Sequence, residues 1–281
     1  MVGGAIFSRL RERATGTSRT RPSGDFVPLD VTQPREPREL VSRLRPRVVI
    51  HCAAWTHVDG CEAEPVRSRL VNVDGVRNVA LAAASVGARM IFFSTDYVFG
   101  GERGPHALAE SPAPLNNYGR HKVEAESVVA ATVESHAIVR SCNLYGYQHG
   151  GKNFVMAVLE HARARRPMRI PSDQWGSPTL ADDLAAATEK LADLAVTGVF
   201  HLAGPDYVDR PSWARRVTKV FGLDDGFLEP VPTRSLAQAA MRPLRAGLES
   251  VASERQIGFS FRGLSQGLEA VVRAERVAAA G

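Results

Sequence analysis

Met90-Ile91-Phe92-Phe93-Ser94-Thr95-Asp96-Tyr97-Val98-Phe99 is the stretch that decides the fold of this 281-residue chain. Its first residues are apolar without alternation, the pattern of a strand buried on both faces. Thr95-Asp96 then marks the polar end of that strand. Val48-Val49-Ile50-His51-Cys52-Ala53-Ala54 and Ala137-Ile138-Val139-Arg140 read the same way, as does the shorter Phe26-Val27-Pro28-Leu29, which stops at Asp30. Helical periodicity fills the intervals 36–44, 65–86 and 117–131. This alternation of strand and helix predicts an α/β chain with a doubly wound parallel sheet and right-handed crossovers. Ligands of such sheets bind beyond the carboxyl ends of the strands. Asp30, Ala53-Ala54-Trp55-Thr56 and Ser94-Thr95-Asp96 all fall there.

Past residue 145 the pattern changes. Gly150-Gly151-Lys152-Asn153-Phe154 is a loop leading into a helix that runs to residue 165, and Arg169-Ile170 is a short strand. Asp173-Gln174-Trp175-Gly176-Ser177-Pro178-Thr179 is a polar loop. A helix over 180–194, a strand at Gly198-Val199-Phe200-His201-Leu202 and helices over 211–221 and 265–280 follow. These pieces predict a smaller α/β cap beside the sheet.

Composition narrows the class. The apolar fraction of 44% is that of a globular protein, and no stretch reaches the roughly 20 apolar residues of a membrane span. Met1-Val2-Gly3-Gly4-Ala5-Ile6-Phe7-Ser8-Arg9 lacks the charge, apolar and small-residue order of a signal peptide. The three cysteines, Cys52, Cys61 and Cys142, form no CxxC pair and read as packing residues of a reduced, cytoplasmic protein. A net charge of +5 spread along the chain suits small anions, whereas nucleic-acid binding calls for basic runs that are missing. His51 and His201 sit in strand-like runs and read as core residues. No His, Cys or carboxylate spacing marks a metal site. Trp55 reads equally well as core or as pocket wall.

Tyr118 and Lys122 stand one helical turn apart, on one face. Most such pairs are solvated helix neighbours. A unit charge about 5 Å from a phenol, at an effective dielectric near 20, is worth roughly 3 kcal/mol, or about 2 pKa units. That would bring the phenol from about 10 toward 8, where a general acid works well.

The blocks around this pair carry a resemblance. Ala53-Ala54-Trp55-Thr56-His57-Val58-Asp59, Ser94-Thr95-Asp96-Tyr97-Val98-Phe99-Gly100, Pro114-Leu115-Asn116-Asn117-Tyr118-Gly119-Arg120-His121-Lys122, the 173–179 loop and Arg242-Pro243 resemble the extended short-chain dehydrogenase/reductases. Within them they resemble the dTDP-4-dehydrorhamnose reductase group, from Gly3 to about residue 258. YxxxK alone is weak; preceded by STDYVF and followed by D-Q-x-G-x-P-T it is specific. The resemblance implies a Rossmann-like dinucleotide-binding region over 1–147 and a substrate-binding region over 148–281, partly interleaved with it. It implies reduction of the 4-keto group of a nucleotide-linked 6-deoxyhexose by NADPH or NADH, in a protein that is often a homodimer. Tyr118 would donate the proton, Thr95 would hydrogen-bond the same oxygen, and Lys122 would hold the nicotinamide ribose. The cofactor would run past Gly3, Asp30, Val31, Ala53, Ala54, Thr56 and Phe93, with Asn72 in support. Val58, Thr95, Asp96, Asn143, Gln174, Trp175 and Arg242 would face the substrate.

The chain also departs from this pattern. It begins inside the glycine-rich turn, so the expected sheet lacks its first strand; either the start is placed late or this is a truncated homologue. The link from Arg13 to Gly16 is short. Asn143 stands where the reductases carry a sugar-stacking tryptophan, and Arg245-Ala246 replaces Asn-Ser, so the sugar need not be the rhamnose precursor. An epimerase or dehydratase remains an alternative, although Asp96 has no glutamate after it. So does a non-catalytic regulatory subunit of methionine adenosyltransferase. The second strand ends at Thr15-Gly16-Thr17-Ser18-Arg19-Thr20-Arg21 without an acid for the ribose 2′-hydroxyl. Ser18 and Arg19 would instead meet a 2′-phosphate, unless Arg19 and Arg21 are simply solvated. The expected outcome is a higher kcat/KM with NADPH than with NADH; a clear NADH preference removes the assignment.

Overall fold

The computed structural model describes residues 1–20, 26–148, 151 and 153–280; Arg21, Gly150 and Lys152 of the loops discussed above lie outside the described residues. The chain enters α1 (Val2–Leu10), then β1 (Gly16–Ser18), β2 (Phe26–Pro28), α2 (Arg35–Leu44) and β3 (Val48–His51). α3 (Val58–Ala63), α4 (Pro65–Arg69), one π turn (Leu70–Asp74) and α5 (Gly75–Ser85) lead to β4 (Arg89–Thr95). α6 (Asn117–Thr132) and β5 (His136–Ser141) follow. The remaining elements are β6 (Leu144–Tyr145), α7 (Phe154–Arg163), β7 (Met168–Pro171), β8 (Trp175–Gly176), β9 (Thr179–Leu180), α8 (Ala181–Asp193), β10 (Gly198–His201), β11 (Val208–Asp209), α9 (Arg210–Phe221), β12 (Leu228–Val231), α10 (Val251–Ile257) and α11 (Leu264–Ala280).

β3, β4, β5 and β10 form one parallel sheet in the order β10-β5-β4-β3. Ile91 pairs with Ile50 on one side and Ala137 on the other. Every residue of β4 is buried, which is what its unbroken apolar run demands. Side chains of a strand alternate between faces, and two cores result. Ile91 and Phe93 meet Ile6, Leu184, Leu191 and Phe200 on the side of α1 and α8. Met90 and Phe92 meet Val79, Ala83 and Val129 on the side of α5 and α6.

Two expected cap segments belong to this sheet instead. β10 pairs with β5 through Phe200 and Val139, and α8 covers the same face as α1 through Leu184 and Leu191. The reason is burial: β10 satisfies the outer edge of β5, and the apolar stripe of α8 closes a face that α1 alone leaves open. The cap is built from β7–β12, β8–β11 and β6–β9 pairs with α7, α9 and α11. Its core holds Trp213, Tyr145, Val158 and Leu268.

β1 and β2 pair with each other in a separate parallel ribbon. Among the described residues no backbone pairing joins β1 to β3. Val48, Val49 and Ile50 are accordingly only half-buried. No described helix is long and apolar enough to cross a membrane.

Phe92 is fully buried, and the Lys122 ammonium lies 4.1 Å from its ring centroid. Phe92→Ala should lower unfolding free energy by about 3–5 kcal/mol, read from urea midpoints at unchanged slope.

Candidate active site

The site is made where α6 lies against the carboxyl end of β4. Asn116 caps α6, its side-chain oxygen accepting the Gly119 N–H at 2.9 Å. A Cβ at Gly119 would stand 2.2 Å from the Tyr97 carbonyl. Only glycine permits so close an approach, and that approach brings Tyr118 and Lys122 to the strand end. Tyr118 is 8% exposed and Lys122 2%. The Lys122 ammonium donates to the Phe93 carbonyl at 2.5 Å. One turn further, Glu126 accepts from Ser94 Oγ at 2.5 Å, from Arg140 Nε at 3.0 Å and from Arg140 Nη2 at 2.6 Å. This buried pair was not among the expected site residues. Its signal was available: Tyr118, Lys122 and Glu126 share one helical stripe, and Arg140 interrupts an apolar strand.

The electrostatics correct the expected tuning of Tyr118. Burial pushes its phenol well up, the Asp96 carboxylate adds to that, and the Thr95 hydroxyl against it works the other way. The lysine does not offset this, because its ammonium is turned to Phe93 and Phe92. Lys122 itself is pulled down to about 7, by burial first, against the pull of Glu126 and Cys52. The helical spacing is as expected; the charge points elsewhere.

Thr95 has two roles. It caps the turn after β4, accepting the Tyr97 N–H at 3.2 Å, and it donates to Asp96 Oδ1 at 3.0 Å. Asp96 is 3% exposed. Burial pushes its carboxyl up to about 6, against hydrogen bonds from Thr95 and Gly247 and the charge of Arg210. The Tyr97 and Tyr118 rings stand edge to face at 6.0 Å.

The expected cofactor-side residues line the neighbouring strand ends. The run 48–54 leaves the sheet after His51 because Asn72 takes the backbone of Trp55, accepting its N–H at 2.8 Å and donating to its carbonyl at 3.0 Å. Asn72 sits in the π turn rather than in a regular helix. It also reaches Ser68 at 3.4 Å, and Ser68 bonds His121 on α6 at 2.8 Å. Ser68 and His121, which sequence reasoning missed, thus tie this loop to the Tyr118 helix. Ala53 and Thr56 are exposed beside it, and Ala54 and Val58 half-buried. Trp55 is half-buried with the Arg67 guanidinium 4.6 Å from its ring, so it is not a core residue. Gly3 is helical within α1, and a Cβ there would lie 3.2 Å from that of Cys52. Asp30, Val31 and Thr32 form a tight turn in which Asp30 Oδ1 accepts from the Thr32 amide at 2.9 Å and its hydroxyl at 2.7 Å. The Ser18 carbonyl accepts the N–H of Leu29, the residue before this turn, at 3.2 Å. The exposed Arg19 helps hold the Asp30 carboxyl down.

The expected substrate-side residues converge less uniformly. Asn143 adopts a left-handed conformation, φ 47°, and its Oδ1 accepts from Arg210 Nη2 at 2.7 Å. Gln174 is turned to Thr233 Oγ1 at 3.1 Å. Trp175 packs on Tyr207 at 5.5 Å. Arg242 is spent on Asp59, 2.9 Å away, and so pins the 240–246 loop to α3. Cys52, Cys61 and Cys142 are free thiols; burial pushes Cys52 up to about 12, consistent with packing. His51 and His201 are buried and pushed by that burial down to about 3 and about 4.

The RmlD substrate binding domain model matches residues 1–277. The chain belongs to this family. A dTDP-4-dehydrorhamnose reductase of Mycobacterium tuberculosis is 35% identical over 256 residues, 89% of this chain and 83% of that protein. The solved structure of a dTDP-4-dehydrorhamnose reductase from Bacillus anthracis in complex with NADP superposes with a TM-score of 0.86 at 31% identity, covering 97% of this chain and 96% of that one. The methionine adenosyltransferase 2 subunit beta of Pongo abelii is also similar, 30% identical over 259 residues, 89% of this chain and 77% of its own.

The raised Asp96 carboxyl gives a pH test. Its ordinary value is near 4 and its folded value about 6, so between these the folded chain holds the proton more tightly than the unfolded one. The Asp96 contribution to stability is therefore full below about pH 4 and is lost as pH rises to about 6, by on the order of 3 kcal/mol. Asp96→Asn removes this slope. The stability difference between the variant and the wild type should rise across that window and level off above it.

Proposed function

We propose that this chain reduces the 4-keto group of a nucleotide-linked 6-deoxyhexose with NADPH, as a dTDP-4-dehydrorhamnose reductase of deoxysugar biosynthesis. The observation that carries the reading is the packing of α6 on β4, which sets the Tyr118 phenol beside the Thr95 hydroxyl at the strand end, with the buried Lys122 amine one turn along at Phe93. NADPH fits the residues on the cofactor side. Lys122 offers a buried amine, held at Phe93, for the nicotinamide ribose, the Ala53–Thr56 loop is fixed by Asn72, and Ser18 and Arg19 stand near Asp30 for the 2′-phosphate. NADH would use the same path without that last contact.

When bound, NADPH supplies the hydride. Tyr118 donates its phenolic proton to the ketone oxygen. A phenol held protonated by burial is a ready hydrogen-bond donor in the ground state. It releases the proton only once negative charge grows on that oxygen, the moment at which general acid catalysis contributes. Thr95 supplies a second donor, turning its hydroxyl from Asp96 to the ketone. Lys122, near neutrality while buried and unliganded, gains from any anionic neighbour. The enzyme acts on a soluble, anionic nucleotide sugar in the cytoplasm, and we expect a homodimer.

A non-catalytic binding subunit is the second reading, favoured by the subunit name among the relatives. One pair of measurements separates the two. Tyr118→Phe should lower kcat by about 10²–10⁴-fold while NADPH affinity persists. Full activity in the variant removes Tyr118 from the mechanism, and a wild type that binds NADPH without oxidising it on a 4-keto sugar supports the subunit reading.

A further inference from the structure

The reduction gives no role to Arg210, yet the fold invests in it. It occupies the first residue of α9, where the helix dipole disfavours a cation. Its backbone N–H donates to the Gln174 carbonyl at 3.0 Å. Its guanidinium stacks 4.9 Å from the Phe154 ring centroid and 5.2 Å from that of Trp213. Burial pulls against its charge, and Tyr97 and Asp96 offset that pull. A guanidinium stays charged and carries five N–H donors. Among the described residues, the bond to Asn143 is the one hydrogen bond its side chain makes.

Asn143 is built as a brace. Its left-handed backbone turns the amide toward Arg210, and a Cβ at Gly176 would lie 2.0 Å from its Nδ2. Any side chain at 176 would displace the amide. Arg210 is only half-buried, and Tyr97 and Asp96 lie close enough to act on its charge. A partly desolvated cation with unspent donors is costly unless a ligand satisfies them.

We propose that Arg210, positioned by Asn143, is a specificity-determining residue for the sugar: its unspent N–H groups donate to hydroxyl oxygens of the hexose ring, while Asp96 accepts from them. The pairing replaces ring stacking with hydrogen bonding. This rests on the reading of the cleft as a nucleotide-sugar site but not on turnover.

The test is equilibrium binding of dTDP-rhamnose, the reduced product, and of dTDP alone to the full chain. Wild type should bind dTDP-rhamnose more tightly than dTDP. Arg210→Met should erase that increment, weakening dTDP-rhamnose by about 10- to 100-fold with dTDP and NADPH affinities kept. Arg210→Gln, which retains a donor for Asn143, should lose most of the increment and guards against misfolding of the first variant. A retained increment in both variants, an equal loss for dTDP, which would assign Arg210 to the diphosphate, or a wild type with no increment at all overturns the proposal. Turnover is measured in parallel: a wild type that shows the increment but reduces no keto sugar removes the reductase reading and leaves Arg210 in place.

Discussion

Glu126 and Arg140 are held out of water together, and the site depends on it. Each charge alone would cost several kcal/mol to bury; paired, and with Ser94 donating to the same carboxylate, they lock α6 to both β4 and β5. That lock sets the depth of the helix. With Glu126 seated, Lys122 one turn earlier reaches the Phe93 carbonyl, and Tyr118 one turn before that reaches Thr95. The pair adds little net stability by itself, since apolar residues of the same shape would pack as well. Its value is register: one pairing geometry satisfies all the donors, so α6 has one place to sit.

The same logic runs through the neighbouring loop. Asn72 takes both backbone groups of Trp55, and through Ser68 it reaches His121 between Tyr118 and Lys122. The loop after β3 and the helix α6 therefore share a hydrogen-bond chain. Arg242 with Asp59 fastens the cap-side loop to α3 in the same fashion. The cleft is thus bounded by polar side chains whose partners are already chosen, which leaves Thr95, Tyr118, Asp96 and Arg210 as the groups with capacity to spare for a ligand.

Burial also sets the protonation of the unliganded site. Tyr118 is kept protonated, Asp96 is pushed toward neutrality and Lys122 is brought close to it. These shifts share a cause, the low-dielectric seam between α6 and β4, and none requires the phenol–ammonium contact that helical spacing suggests. A lysine ammonium finds the nearest carbonyl dipole, here Phe93, when no ligand competes for it.

Much of this was legible in the sequence. The unbroken run Met90–Ser94 could only be a strand buried on both faces, and the repeating strand–helix period leaves one sheet type open. That Tyr118 and Lys122 share one face of α6 follows from local spacing. Spacing along one element is a short-range property and survives translation into structure. What the sequence did not reveal is long-range: that β10 and α8 leave the cap for the main sheet, that Glu126 meets Arg140, that Asn143 meets Arg210, and that Lys122 turns from Tyr118 to Phe93. Each of these is a contact between segments whose distance only packing decides. The chain alone determined the strand–helix period and which polar side chains share one helix face, because residue type and period are local; the tertiary structure decided which of their charges and donors remain free to use, because burial and partnership belong to the whole fold.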